Sequence, residues 1–388
     1  MYNSKLVLPI IVVCQFCCTS LWFAGNGVMQ NLVLTFNLQK SALGNLTAAV
    51  QFGFISGTLL FALFTIADRF SPSKVFFISA VLGAIFNLGF VLEQQTLFSL
   101  VSFRFLTGFF LAGIYPVGMK IATDYYQKGL GKSLGFLVGA LVLGTALPHL
   151  LKDILVDYSW KSVLIATSIL AFFGGFLLLI FVKDGPFRKP SKNLDLSICF
   201  NIFKNIEFRK AAFGYFGHMW ELYTFWAFVP VLLSIYQKTH SIQDFNISLL
   251  SFFIIAIGSL SCALGGYIYE KLGLKKTATT FLFLSGICCL ISPFLFQVEN
   301  QHLFISFLLF WGMVVIADSP LFSTLVAQNA PSKDRGTALT IVNCIGFSIT
   351  IISIQILNSL QIHTTSNFIF MVLAVGPLLG VLSLKKTK

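Results

Sequence analysis

Apolar runs of roughly twenty residues, each closed by a short polar break, repeat along the whole chain. They lie at about 6–29, 42–66, 74–93, 97–121, 133–151 and 162–182, then at 212–236, 247–269, 277–297, 303–328, 337–358 and 367–384. Runs of this length match the hydrocarbon thickness of a bilayer when coiled as α-helices. The pattern predicts twelve membrane-spanning helices, an all-α integral membrane protein. The first run is too long for the apolar core of a signal peptide and lacks a small-residue cleavage site, so it reads as a helix. The one long polar stretch, 183–210, carries two prolines and seven Lys or Arg. It predicts a cytoplasmic linker between two six-helix halves, 1–182 and 211–388.

Composition excludes most other classes. Of 388 residues, 56% are hydrophobic and only 10% are charged, against about 25% charged in soluble domains. A soluble enzyme, a nucleic-acid binder and a secreted disulfide scaffold are all disfavoured. The net charge of +12 belongs to the loops. Twenty Lys and Arg fall on the side of the N-terminus, four (Lys40, Lys152, Lys161, Lys238) on the other, and Arg104 and Lys120 inside the fourth run. That asymmetry predicts a multi-pass protein with both termini in the cytoplasm. Loop composition and the want of a targeting extension predict a bacterial inner (plasma) membrane. The eight Cys lie mostly within spans, two pairs of them adjacent, and read as small packing hydrophobes, not metal or redox sites. No P-loop, G-x-S-x-G or HExxH occurs. Neither an enzyme nor ATP-driven transport is expected, and no cofactor or metal.

The two halves echo each other. Asp68-Arg69-Phe70-Ser71-Pro72-Ser73-Lys74 follows the second run, and Glu270-Lys271-Leu272-Gly273-Leu274-Lys275-Lys276 follows the eighth. Gly108 and Pro116 in the fourth run recur as Gly312 and Pro320 in the tenth. An internal repeat of two six-helix units follows. These acid–base loops resemble the signature between helices two and three, and eight and nine, of the major facilitator superfamily (MFS). The second half matches as Gly266-x-x-x-Glu270-Lys271-x-Gly273-x-Lys275-Lys276; in the first, Phe64, Ser71 and Ser73 depart from the motif, which implies a weaker loop gate there. Arg104-x-x-x-Gly108-x-x-x-Ala112 resembles the fourth-helix motif, and Gly135-x-x-x-Gly139 with Gly144 and Pro148 resembles the glycine-rich fifth helix. His218-Met219-Trp220-Glu221-Leu222-Tyr223 and Ala317-Asp318-Ser319 resemble a bacterial branch often labelled by similarity to cyanate or nitrate permeases. The resemblance implies alternating access, with helices one, four, seven and ten lining a cavity between the halves. It also implies that Asp68, Arg69, Glu270 and Lys271 gate the cycle.

Ionisable side chains at bilayer depth cost at least about 2.5–3.5 kcal/mol and usually mark a pathway or a partner. Three strongly charged residues lie well inside spans: Arg104, Glu221 and Asp318. Counting from span centres puts both acids about 4 Å to the cytoplasmic side of the midplane and Arg104 about 7 Å to the other side. Two carboxylates at matching depth on facing helices could share a proton, because burial and mutual repulsion both favour a protonated acid. The bland reading is a buried structural acid. Arg104 suits a carboxylate or phosphate-like group, or else an internal ion pair or brace. His218 precedes Glu221 by one turn and is a candidate relay. Gln15, Thr19, Trp22 and Asn26 are spaced as a polar stripe on one helix face, suiting a watery pathway or helix packing. Trp220 and Tyr223 flank Glu221 as candidate aromatic walls.

The expectation is a monomeric secondary transporter moving a small solute, such as an organic acid or another metabolite with an acidic group, coupled to protons. Its partners are that solute, protons and the lipid bilayer, and no nucleic acid. The alternative is a proton-antiport exporter of a drug-like or siderophore-like compound.

Overall fold

The computed structural model describes residues 4–126, 130–188, 199–331 and 334–385. Much of the predicted linker, and Lys128, Lys333 and the last two lysines of the charge count, lie outside them. The described residues form helices joined by turns and loops, with no strand among them, and the chain divides into two compact units, Met1–Leu194 and Asp195–Lys388.

Unit 1 contains α1 (Ser4–Thr19), α2 (Ala24–Gly27), α3 (Met29–Thr35), α4 (Ala42–Leu63), α5 (Ile66–Arg69), α6 (Pro72–Leu88), α7 (Leu97–Leu111), α8 (Tyr115–Tyr125), α9 (Leu130–Ile154) and α10 (Lys161–Phe181). Unit 2 contains α11 (Cys199–Ile202), α12 (Ile206–Thr239), α13 (Ile247–Leu272), α14 (Leu274–Leu295), α15 (Gln301–Ala317), α16 (Ser319–Asn329), α17 (Arg335–His363) and α18 (Val375–Leu384). A 3-10 turn, Asn367–Ala374, leads into α18 and completes that span. Side-chain caps set several starts. Thr96 and Ser99 form a reciprocal capping box at α7, and Asn205, Asn246 and Asn300 accept backbone N–H bonds at α12, α13 and α15.

Eleven described helices are long and apolar enough to cross a membrane. The twelfth expected span, 6–29, is not one helix: α1 stops at Thr19, and the chain turns through 20–23 into α2 and α3. The fourth and tenth spans also bend, α7 giving way to α8 and α15 to α16. Pro116 and Pro320 stand in the first turn of the second piece in each case, where a missing N–H costs nothing. The repeat reaches atomic packing here. A methyl group on Gly108 would overlap the Val50 carbonyl of α4, and one on Gly312 would overlap the Ile254 carbonyl of α13. Each half thus presses its bent span against a neighbour's backbone at a glycine.

Outward faces remain apolar. On α10, Phe172, Phe173, Phe176, Ile180 and Phe181 are exposed, as side chains are where lipid is the solvent. Cys14, Cys18, Cys262, Cys288, Cys289 and Cys344 are buried free thiols.

Candidate functional site

In unit 1 the polar groups gather at the break after α1. Arg104 of α7 is fully buried, and its two terminal nitrogens donate to the Leu21 and Trp22 carbonyls. Those carbonyls lack helical partners because the chain leaves the helix there, so the guanidinium completes the bend. Among the described residues Arg104 has no carboxylate within ion-pair distance, and its Nε has no hydrogen-bond partner. The arginine therefore braces the first span and still carries an uncompensated charge.

The predicted polar stripe does not hold one face. Gln15 donates to the Leu137 carbonyl (3.3 Å), and Thr19 donates to the Gln15 carbonyl (2.8 Å) and sits 3.5 Å from the Ala140 carbonyl, so both turn towards α9. Past the break, Asn26 donates to Thr47 (2.8 Å) and the Trp22 ring packs on Phe54 at 4.7 Å, both on α4. The helical count that aligned the four residues ends at Thr19.

Unit 2 holds the titratable groups. Glu221 on α12 is buried and accepts from Trp311 Nε1 (2.6 Å) on α15 and Ser285 Oγ (2.8 Å) on α14, with the Cys289 thiol beside it. His218, one turn earlier, turns to Asp318: Nδ1 lies 2.8 Å from Oδ1, both side chains buried. Asp318 occupies the bend between α15 and α16, where its own carbonyl accepts from Phe322 N–H (2.8 Å). Glu221 and Asp318, expected as a pair that could share one proton, thus have different hydrogen-bond and ion-pair partners. Glu221 is held by Trp311 and Ser285, and Asp318 is in ion-pair contact with His218. Among the described residues neither the two His218 ring nitrogens nor the two Asp318 carboxylate oxygens make a hydrogen bond of good geometry, so the 2.8 Å approach is an ion-pair contact. Trp220 spends its indole N–H on the Val372 carbonyl (2.9 Å), anchoring α12 to the Asn367–Ala374 turn. Tyr223 is buried against Trp226 and Phe347, each at 5.2 Å between ring centres.

The loop residues are held differently in the two halves. The first loop, whose sequence departs from the motif, is the stapled one: Asp68 pairs with Lys120 (2.9 Å), and Arg188 donates to the Asp68 and Phe70 carbonyls, both 2.8 Å. Ser71 donates to Asp184 (2.6 Å), and Ser73 to the Val182 carbonyl (2.5 Å). The serines that replace motif residues thereby tie the loop to the end of α10. Arg69 turns back to Thr65 (3.1 Å). Glu270 and Lys271 are exposed and make no ion pair among the described residues.

Sequence reasoning missed Gln51, Thr145, Ser285 and the pairing of Lys120. Gln51 is the one glutamine of its apolar run, and Lys120 stands one turn before Asp124, signals that gain meaning only with the fold.

The Major Facilitator Superfamily profile matches residues 11–354. No curated protein matches the chain. Among solved structures, the chain is similar to a proton:xylose symporter, XylE, at 17% identity and a TM-score of 0.75, covering 98% of this chain and 95% of that one. It is similar to the nucleoside transporter NupG at 14% and 0.74, covering 98% and 99%. The human organic anion transporter MFSD10 is 12% identical with a TM-score of 0.76, covering 99% and 100%. At these identities the likeness establishes fold, and the profile match over most of the chain establishes lineage. The chain belongs to the Major Facilitator Superfamily: it is a multi-pass membrane transporter and not an enzyme.

Proposed function

We propose that the protein is a proton-coupled secondary transporter of a small solute bearing an acidic group, working by alternating access in the inner membrane with both termini in the cytoplasm. The observation that carries this reading is the buried His218–Asp318 contact at 2.8 Å. An imidazole and a carboxylate in contact form a pair whose charge changes with one proton, and imidazole is the side chain suited to exchange it near neutral pH. Its place at the bend of α15 and α16 supports coupling, because a change of charge there alters the cost of keeping the bend dry.

Glu221 takes a different part. Donors from α14 and α15 hold its carboxylate, so it ties three helices together and sets the field felt by the pair one turn away. Arg104, the uncompensated buried cation of unit 1, favours an acidic solute over a cationic one. Trp22 and Asn26 are solute contacts in this account, while Gln15, Trp220 and Tyr223 hold helices in place. Asp68 and Arg69 belong to a loop fastened through Lys120 and Arg188, and Glu270 and Lys271 to one that is open. One protein of like fold is a proton:xylose symporter, and another is an organic anion transporter. The protein acts as a monomer.

Proteoliposomes carrying the purified protein and an imposed pH gradient test the proposal. Accumulation of labelled organic acids should follow the gradient and collapse when a protonophore dissipates it. Equal uptake with and without the gradient would make the protein a facilitator and overturn the coupling.

A further inference from the structure

The break after α1 in unit 1 is surrounded by buried polar atoms that nothing among the described residues satisfies. We propose that these atoms bind the solute and that the solute is a small hydroxylated organic anion, an inference that rests on the transport reading above and gives it a substrate class.

Five side chains carry the argument. Asn26 Oδ1, both Nε2 and Oε1 of Gln51, Arg104 Nε, Thr145 Oγ1 and His149 Nε2 have no hydrogen-bond partner among the described residues. Their residues are 6%, 0%, 0%, 0% and 2% exposed, respectively. They border the same stretch of chain. Asn26 bonds to Thr47, and Trp22 packs on Phe54, which places Gln51, between Thr47 and Phe54 on α4, along the face that meets residues 22–26. A methyl group on Gly25 would lie 3.5 Å from Arg104 Nε, the unpaired nitrogen. Gly27 abuts Pro148 of α9, so Thr145 and His149 flank that contact. Native proteins leave few buried polar atoms unpaired, and a group of them around one bend calls for a partner.

The chemistry of that partner follows from the set. Arg104 brings a positive charge with no carboxylate in reach, and the acids of unit 1 that form ion pairs, Asp68, Asp124 and Asp184, do so with Lys120 and Arg188. A neutral polyol would leave that charge uncompensated. The Asn26 and Gln51 carbonyl oxygens in turn need donors, which a bare carboxylate or phosphate lacks. An ammonium would supply donors but be repelled by the guanidinium. An acidic group for Arg104 and the Gln51 amide nitrogen, with hydroxyls for the amide oxygens, meets the whole set.

Binding to the purified full-length protein in detergent, by calorimetric titration and thermal unfolding, tests this without any flux. Gluconate, malate and glucose 6-phosphate are the probes; hexanoate and succinate lack the hydroxyls of the first two, and glucose lacks the charge of the third. At least one hydroxylated anion should bind, with its matched control about tenfold weaker or worse, the loss expected for a buried hydrogen bond left unmade. Gln51→Leu should lose binding by about tenfold or more, while the ligand-free variant unfolds at the same temperature as the wild type or higher, because it removes unpaired polar atoms. Failure of all three probes, equal binding of the controls, unchanged binding by Gln51→Leu, or a destabilised ligand-free Gln51→Leu would each overturn the proposal. A protein that binds as stated yet moves no solute would defeat the transport reading alone.

Discussion

Glu221 and His218 stand one turn apart on α12 and face different partners, and that division sets what each substitution does. Glu221 accepts two hydrogen bonds, from Trp311 and Ser285. Glu221→Gln replaces one acceptor with a donor that meets another donor, so it should destabilise the folded protein by about 1–3 kcal/mol in detergent unfolding. Trp311→Phe should cost a similar amount, and the double variant less than the sum, because both remove the same bond. An additive pair would show that the bond does not hold the helices. His218→Gln instead keeps a polar group beside Asp318 and removes the imidazole. The variant should lose most of the solute-dependent proton flux; a flux unchanged from wild type would remove His218 from the coupling. At this scale the sequence reveals the charged residues, because Arg104, Glu221 and Asp318 interrupt apolar runs that otherwise exclude charge. It does not reveal their partners. Ser285 and Trp311 are ordinary in a span, and each meets Glu221 from more than sixty residues away.

The bent spans are the informative elements. Gly108 and Gly312 each leave no room for a methyl group against a backbone carbonyl, whereas Gly266 has nothing within 4 Å. Gly108→Ala and Gly312→Ala should therefore each destabilise by about 1–3 kcal/mol, the usual cost of overpacking, with Gly266→Ala close to wild type. Equal unfolding temperatures for all three would show that the helices do not approach at those glycines. Glycine and proline spacing made the repeat legible. The break in the first span was not, because its cause is tertiary: the Leu21 and Trp22 carbonyls leave the helix to meet Arg104, and a hydropathy pattern carries no trace of that bond. The fastening of the first loop was not legible for a related reason. Motif matching gave weight to Gly273 and Lys275, while Lys120 and Arg188, which fasten the first loop, stand outside the motif.

At the scale of the molecule, twenty cationic residues against four across the predicted faces account for the proposed orientation. A cysteine introduced as Lys40→Cys should react with a membrane-impermeant thiol reagent in intact cells, and one introduced as Lys275→Cys should not; the reverse pattern would invert the topology. Fold class and lineage were legible because a bilayer imposes long apolar helices and leaves little else to choose. The proposed coupling was legible only as a short set of candidate residues, since a buried acid reads alike whether it moves a proton or holds a helix. The most direct test records internal pH in proteoliposomes while organic acids are added to one side, with wild type beside Asp318→Asn and Glu221→Gln. The account predicts a solute-dependent proton flux in the wild type, abolished in Asp318→Asn and reduced in Glu221→Gln. Solute flux without proton movement, equal in all three proteins, would contradict it.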